Sequence, residues 1–235
     1  MAIDHVTGGY VLARPVADHG WLTRDRLPAE LLSASSCLAT LGPAEWTLPW
    51  VRWDESDRLA RVRALGIGPA VLPQLQQWLQ ERLDDGTWGF PMWFRDLDTA
   101  RECVARFVSD RAGLTLLGVE LPEDQVAGVV AAHPDVVGVA TDGIVLHLRA
   151  HRAPEDGGEV LGYEPLGLDH GSFHSWLCHD LEPFIHDRLG IDVDAHGLIT
   201  SASDAARAAA LIGSDEVGAE PAVWRAWRLV RYPLS

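Results

Sequence analysis

Five of the ten histidines and one of the three cysteines in this 235-residue chain fall between Glu159 and Gly197, and their spacing suits two kinds of chemistry. His170, His174 and Cys178 recur every fourth residue, which brings side chains together on one face of a helix. Two imidazoles and a thiolate held that way are suited to zinc or another transition metal. His179, Glu182 and His186 form a second row, which can hold a metal or move protons between imidazole and carboxylate. Each set has an ordinary alternative. His174 and Cys178 also fit a helix core with local hydrogen bonds, and the second row also fits a solvated helix face.

A third stretch, Asp192 to Asp204, opens with the Asp, Asp and Gly spacing of a calcium loop. Its second half departs from that pattern: His196 stands at the fifth position and Ser203 where a bidentate Glu is needed, so high-affinity calcium binding is not expected. Ser172 and Ser175 lie near histidines in sequence, but helical neighbours lack the geometry of a nucleophile and its base. No nucleophile elbow, phosphate loop, dinucleotide fingerprint or paired-cysteine motif occurs. All nineteen basic residues are Arg, which excludes Schiff-base or Lys-nucleophile chemistry.

The surrounding elements must position these side chains. Glu159 to Gly167 alternates apolar and polar residues between Gly157-Gly158 and the turn residues Asp169 to Gly171, which predicts a strand. Ser172 then predicts an N-cap and Gly190 a stop, giving a helix over 173–189 with Phe173, Leu177, Leu181, Phe184 and Ile185 on its core face. His174 and Cys178 fall on that face or its edge, and His179, Glu182 and His186 on the opposite, polar side.

Elsewhere, the patterns predict a first strand over 9–16, a helix start at Leu27 to Leu32, and helices over 54–65 and 73–83, the second ended by Asp84-Asp85-Gly86. A short strand over 87–94 is interrupted by Pro91, which favours an edge or a bend. Asp96 or Asp98 caps a helix with Ala100, Cys103, Val104 and Phe107 as its apolar stripe, so Cys103 is read as a core residue. A strand over 114–121, a helix from Pro122 to about Ala132 and a hairpin turning at Thr141-Asp142-Gly143 follow. Arg149 to Gly158 is a polar link, and Ser203-Asp204 caps a helix with the core Ala205 to Ile212. Trp46, Trp50 and Trp53 are read as core or interface packing rather than a base-stacking platform. The expected fold is therefore α+β: a mixed or antiparallel sheet with helices packed on it. It is arranged either as a Trp-rich N-terminal region (1–112) and an acidic C-terminal domain (113–235), or as one domain.

An apolar fraction of 47% with ten Trp argues against disorder, and the apolar runs are too interrupted to cross a bilayer. Three well-separated cysteines and an N-terminus without a secretory pattern lead to the expectation of a cytoplasmic protein. The net charge of −15 is concentrated in the second half, where 19 acidic residues face 7 Arg, against 15 and 12 in residues 1–113. Such a charge repels phosphate backbones and anionic lipid, which excludes nucleic acid and membrane as expected partners, and it attracts a basic protein.

The second half also carries Leu161-Gly-Tyr-Glu, Gly171-Ser-Phe-His-Ser-Trp-Leu-Cys178 with Leu181-Glu182, Asp194-x-x-Gly197-Leu198, Ala219-Glu-Pro221, Trp224, Trp227 and Tyr232. This run resembles an uncharacterised bacterial domain family, some of whose members are similar to immunity proteins that block secreted toxins. The resemblance covers about half the chain and transfers no catalytic residue; His179 stands where it would lead one to expect Asn. The expectation that combines it with the charge is a non-enzymatic protein-binding module, an immunity-type inhibitor of a basic toxin, with Glu182, Asp187, Asp192 and Asp194 as contacts and no cofactor. The rival expectations are a small metal-assisted enzyme built on either histidine set, with zinc or another transition metal, and an accessory protein of a specialised biosynthetic pathway.

Overall fold

The computed structural model describes residues 5–15, 28, 30–42, 55–89, 92–133, 143–169 and 171–235. In chain order these form β1 (His5–Pro15), β2 (Ala39–Gly42), α1 (Glu55–Ala64), α2 (Leu72–Asp85), β3 (Trp88–Gly89), β4 (Trp93–Phe94), α3 (Leu97–Phe107), β5 (Thr115–Pro122), α4 (Glu123–Ala132), α5 (Gly143–Arg149), β6 (Glu159–Asp169), β7 (Ser172–Ser175), α6 (Glu182–Leu189), α7 (Ala202–Ile212) and β8 (Val223–Tyr232). The fold is α+β, with an open antiparallel sheet in the order β3-β4-β1-β5-β8-β6-β7. β2 also pairs with β1, from Leu12 to Pro15, beyond the point where β4 meets Tyr10. β1 is hydrogen-bonded to β5 along most of its length, so the sheet runs unbroken past residue 112.

Side-chain alternation divides the core between the two faces of this sheet. On one face Tyr10, Leu12, Leu116, Val230 and Tyr232 pack under α1, α2 and α3. Farther along the same face, Trp224 and Ala226 pack against Ile185 of α6 and Ala205, Ala208 and Ile212 of α7. On the other face Val11, Leu117, Val119, Leu166, Leu168, Trp227 and Leu229 pack under α4 and α5. β8 serves all three clusters, which explains its two Trp. Residues 31–41 contribute to both faces, through Leu31 and Leu38 on one and Ala34, Ala39 and Leu41 on the other.

Many elements stand where the patterns place them. Asp96 caps α3 by accepting from Thr99 N, and Ala100, Cys103, Val104 and Phe107 are all buried. Gly86 ends α2 in the left-handed conformation, with φ of 73°. β3 and β4 pair at the sheet edge around Phe90 and Pro91, which lie outside the described residues.

Four readings are corrected. The single helix over 173–189 is instead β7, a 3-10 turn over Trp176–His179, and α6. Phe173 and Ser175 are buried while Ser172 and His174 are half-buried, a period of two that pairs β7 with β6. Asp180 is left-handed at φ 55°, and Pro183 in the first turn of α6 marks the true helix start. The hairpin at Thr141-Asp142-Gly143 gives way to α5, because Ile144, Val145 and Leu148 are buried at helical spacing; Thr141 and Asp142 lie outside the described residues. The helix start at Leu27 to Leu32 is not helical in residues 30–32; Leu27 and Ala29 lie outside the described residues. Ser201, not Ser203, caps α7, accepting from Asp204 N. The cluster of Trp46, Trp50 and Trp53 also lies outside the described residues. Among the described residues no helix is long and apolar enough to cross a membrane.

Candidate functional site

At the β7 edge of the sheet, short segments from distant parts of the chain converge. β7 and its 3-10 turn supply His174, Cys178 and His179; the turn before β8 supplies Glu220; and the stretch leading into β2 supplies Cys37. Ser175 closes the 3-10 turn through its hydroxyl, which accepts from Leu177 N at 3.3 Å. The Cys178 thiol donates to Ser175 O at 2.8 Å. The 37 stretch is anchored from below by Glu164 of β6, whose buried carboxylate accepts from Ser33 Oγ at 2.6 Å and Ala34 N at 3.2 Å. Ser35 Oγ in turn accepts from Cys37 N at 3.1 Å.

These supports hold a dense group of donor atoms. His174 Nδ1 lies 2.6 Å from Glu220 Oε2 and 3.9 Å from Cys37 Sγ. One ligand atom each from His174, His179 and Glu220 lies within 4.8 Å of the others, the one such trio of His, Cys, Asp or Glu among the described residues. Nε2 of His179 is buried without a hydrogen-bond partner among the described residues. The His179 ring meets Trp224 edge-on, with centroids 6.0 Å apart, so its orientation is fixed by packing. Cys178 belongs to the buried cluster against which Cys37 packs. Its thiol, with His174 and Ser35, pulls Cys37 down to about 4 against the opposing effect of burial. Cys37 and burial push Cys178 the other way, upward. The Cys37 contact and the Glu220 carboxylate hold His174 above its ordinary value. Burial raises Glu164 to about 7.

The arrangement is not a nucleophile relay. A Cys–His–carboxylate relay needs the sulfur and the carboxylate on opposite ring nitrogens, so that one holds a proton while the other takes one. Here both Cys37 and Glu220 address Nδ1 of His174. Convergence of several donors on one point is instead what a metal ion requires.

The structure redistributes the residues singled out by spacing. His170 lies outside the described residues. His174 and Cys178 do come together, but around Cys37 and not side by side on a helix. The row of His179, Glu182 and His186 is split by Asp180: His179 joins His174 and Glu220, Glu182 sits half-buried in the first turn of α6, and His186 Nδ1 meets Asp192 Oδ1 at 2.8 Å. Of the acidic candidates, Asp187 and Asp192 are exposed, while Asp194 is half-buried and accepts from His196 N and Leu198 N, closing its own loop. Cys37 and Glu220 carry no local signal of a site: one is 137 residues from His174, and the other appears only as the middle of Ala219-Glu-Pro221.

No family model, curated protein or solved structure matches this chain.

Proposed function

We propose that this protein binds a divalent transition metal, zinc by the chemistry of its donors, at His174, His179 and Glu220, with the Cys37 thiolate, 3.9 Å from His174 Nδ1 but outside that group, drawn in as fourth ligand when the metal binds. The observation that carries the reading is His179. A buried ring nitrogen without a partner costs on the order of 1–3 kcal/mol, and this one belongs to a ring whose neighbours within 4.8 Å offer two further metal donors. Donor atoms around tetrahedral zinc stand about 3.3–3.6 Å apart. The 3.9 Å between Cys37 and His174 is close to that already, and the 2.6 Å between His174 and Glu220 would open slightly once a cation replaced their hydrogen bond. One thiolate and one carboxylate also neutralise a divalent ion, which lowers the cost of holding it in a half-buried site.

With Cys37 drawn in as fourth ligand no open position would remain, and the site would tie the 37 stretch, β7 and the turn before β8 together. The test is elemental analysis and zinc titration of untagged protein. One zinc per chain is expected, with a rise in Tm on loading. His179→Ala should abolish both, while His186→Ala should keep both. Failure of the reduced protein to take up zinc, or equal loss in the two variants, would overturn the reading.

A second reading is supported by charge: 19 acidic residues against 7 Arg in residues 114–235, with Asp187 and Asp192 exposed. These favour a non-enzymatic, immunity-type inhibitor that associates with a basic toxin by electrostatic steering. With a lysine-rich protein of similar size as probe, association should slow steeply with added salt and with Asp187→Asn plus Asp192→Asn. Salt-independent association, or none, would remove this reading.

A further inference from the structure

Beyond metal binding, we propose that Cys37 and Cys178 are a peroxide-responsive dithiol, closing to a disulfide that takes Cys37 away from the metal.

The two sulfurs sit on segments that are separately held. Cys37 N donates to Ser35 Oγ, Ser35 N donates to Ser33 Oγ, and Ser33 and Ala34 are bound to Glu164. Cys178 lies in the 3-10 turn, with its thiol on Ser175 O at 2.8 Å. Glu164 lies in β6, which pairs with β7 through Leu166 and Ser175, so the strand that anchors the 37 stretch also carries the 3-10 turn. The two sulfurs touch consecutive residues of β7, Cys37 Sγ at 3.9 Å from His174 Nδ1 and Cys178 Sγ at 2.8 Å from Ser175 O, and Cys37 packs against the buried cluster that holds Cys178. Cys37 is half-buried and therefore within reach of a small solute, whereas Cys178 is 5% exposed. An outer thiol to meet the oxidant and an inner one to resolve it is the order that a sensor pair needs.

The chemistry balances without a further reagent. Cys37 Sγ attacks one oxygen of a hydroperoxide, the O–O bond breaks, and the departing oxygen leaves as water or alcohol with the thiol proton. Cys37 becomes a sulfenic acid. Cys178 Sγ then attacks that sulfur, the S–O bond breaks, and the hydroxyl leaves as water with the Cys178 proton. Two thiols are oxidised by two electrons and one peroxide is reduced. Cys103 supplies an internal control, since it is fully buried in the core under α1, α2 and α3.

The consequence for the metal rests on the zinc reading. A disulfide sulfur is a poor ligand for zinc, so closure would leave His174, His179 and Glu220 as a three-donor site and weaken retention.

The experiment treats the reduced, zinc-loaded full chain with one equivalent of hydrogen peroxide. It follows three readouts: thiols titrated after denaturation, peptides mapped by mass under non-reducing conditions, and zinc released to a chromogenic chelator. Two of the three thiols should disappear, a Cys37–Cys178 linked peptide should form, and zinc should be released in step with it. Cys178→Ser should give no linked peptide and stop Cys37 at the sulfenic acid, which a second equivalent of peroxide carries to sulfinic acid. The mapping is done on the natural chain, so the result does not depend on whether that variant folds. Zinc uptake with no Cys37–Cys178 peptide after peroxide, or a linkage through Cys103, overturns the dithiol and leaves the metal site standing. A clean disulfide in a chain that never took up zinc overturns the metal site and leaves the dithiol standing.

Discussion

Ser33 Oγ donates to Glu164 Oε1 at 2.6 Å, joining positions 131 residues apart in the chain beneath the candidate metal site. Burial raises this carboxyl to about 7, with Ser33, Ser175 and Ala34 opposing the shift. The folded chain therefore keeps a proton that the unfolded chain releases near the ordinary value of 4.5. Where the folded state binds more protons, stability falls as pH rises. The Glu164 contribution is complete below the ordinary value and is lost as pH passes through about 7. A shift of this size corresponds to roughly 3 kcal/mol as an upper bound. Urea midpoints should fall as pH rises through about 7, and Glu164→Gln, which cannot ionise, should flatten that slope. An unchanged slope in the variant would show that the carboxyl ionises freely.

His147 should act in the opposite direction. Burial lowers it to about 4, with its Nδ1 3.1 Å from Gly8 O as a hydrogen bond to a carbonyl. Between about 4 and the ordinary 6.5 the unfolded chain binds a proton that the folded chain refuses, so this contribution is lost as pH falls through that window. Between about 4.5 and 6.5 the two contributions oppose and largely cancel, so stability should be level there and fall on the alkaline side through about 7 and on the acid side towards about 4. His147→Gln should shift the fall on the acid side to lower pH. No change in that limb would mean His147 is protonated in the folded state.

How much of this was legible in the sequence depends on the reach of each signal. Local signals read well: Asp96 as a cap, Gly86 as a stop, and the stripe of Ala100, Cys103, Val104 and Phe107 all rest on contacts within a few residues. The spacing over 173–189 fits a helix as well as a strand and turn, because Phe173 and Leu177 are buried in either. Pro183 in the middle of that span is the contrary signal. Of the candidate site, spacing reveals His174 and His179 but places them in different sets, and it does not reveal Cys37 and Glu220. The pairing of β6 with β8 and the docking of Ser33 on Glu164 bring those two there from opposite ends of the chain.

The Glu120–Arg228 pair offers a separate measurement of buried charge. Glu120 is 1% exposed, Arg228 Nε donates to its Oε2 at 2.6 Å, and the Arg228 Nη2 group lies against the same oxygen. Tyr232 OH donates to the other oxygen at 3.4 Å, too long to compensate the charge alone. Arg228→Met should therefore cost about 3 kcal/mol, because it leaves a buried carboxylate without its cation. Adding Glu120→Gln should return most of that loss, since removing both charges is far less costly than removing one. Urea unfolding of the two single variants and the double variant gives the coupling; additive losses would show that the pair does not interact.

Gly9 and Gly113 separate steric from conformational cost. Both have positive φ, 120° and 68°, but a Cβ at Gly113 would meet open space, whereas at Gly9 it would stand 2.5 Å from His147 Nδ1 and 2.9 Å from Phe94 O. Gly113→Ala pays only for the left-handed backbone, about 1 kcal/mol. Gly9→Ala pays for its backbone as well, and must also displace either the His147 ring from its bond to Gly8 O or the β4 carbonyl beside Tyr10. Its loss should reach about 3 kcal/mol or more. The acid limb of its stability profile should also shift, because the ring that moves is the one that refuses a proton. Equal losses in the two variants would mean that β1 yields at its irregularity between Thr7 and Gly9, and that His147 is held by less than its buried contacts suggest.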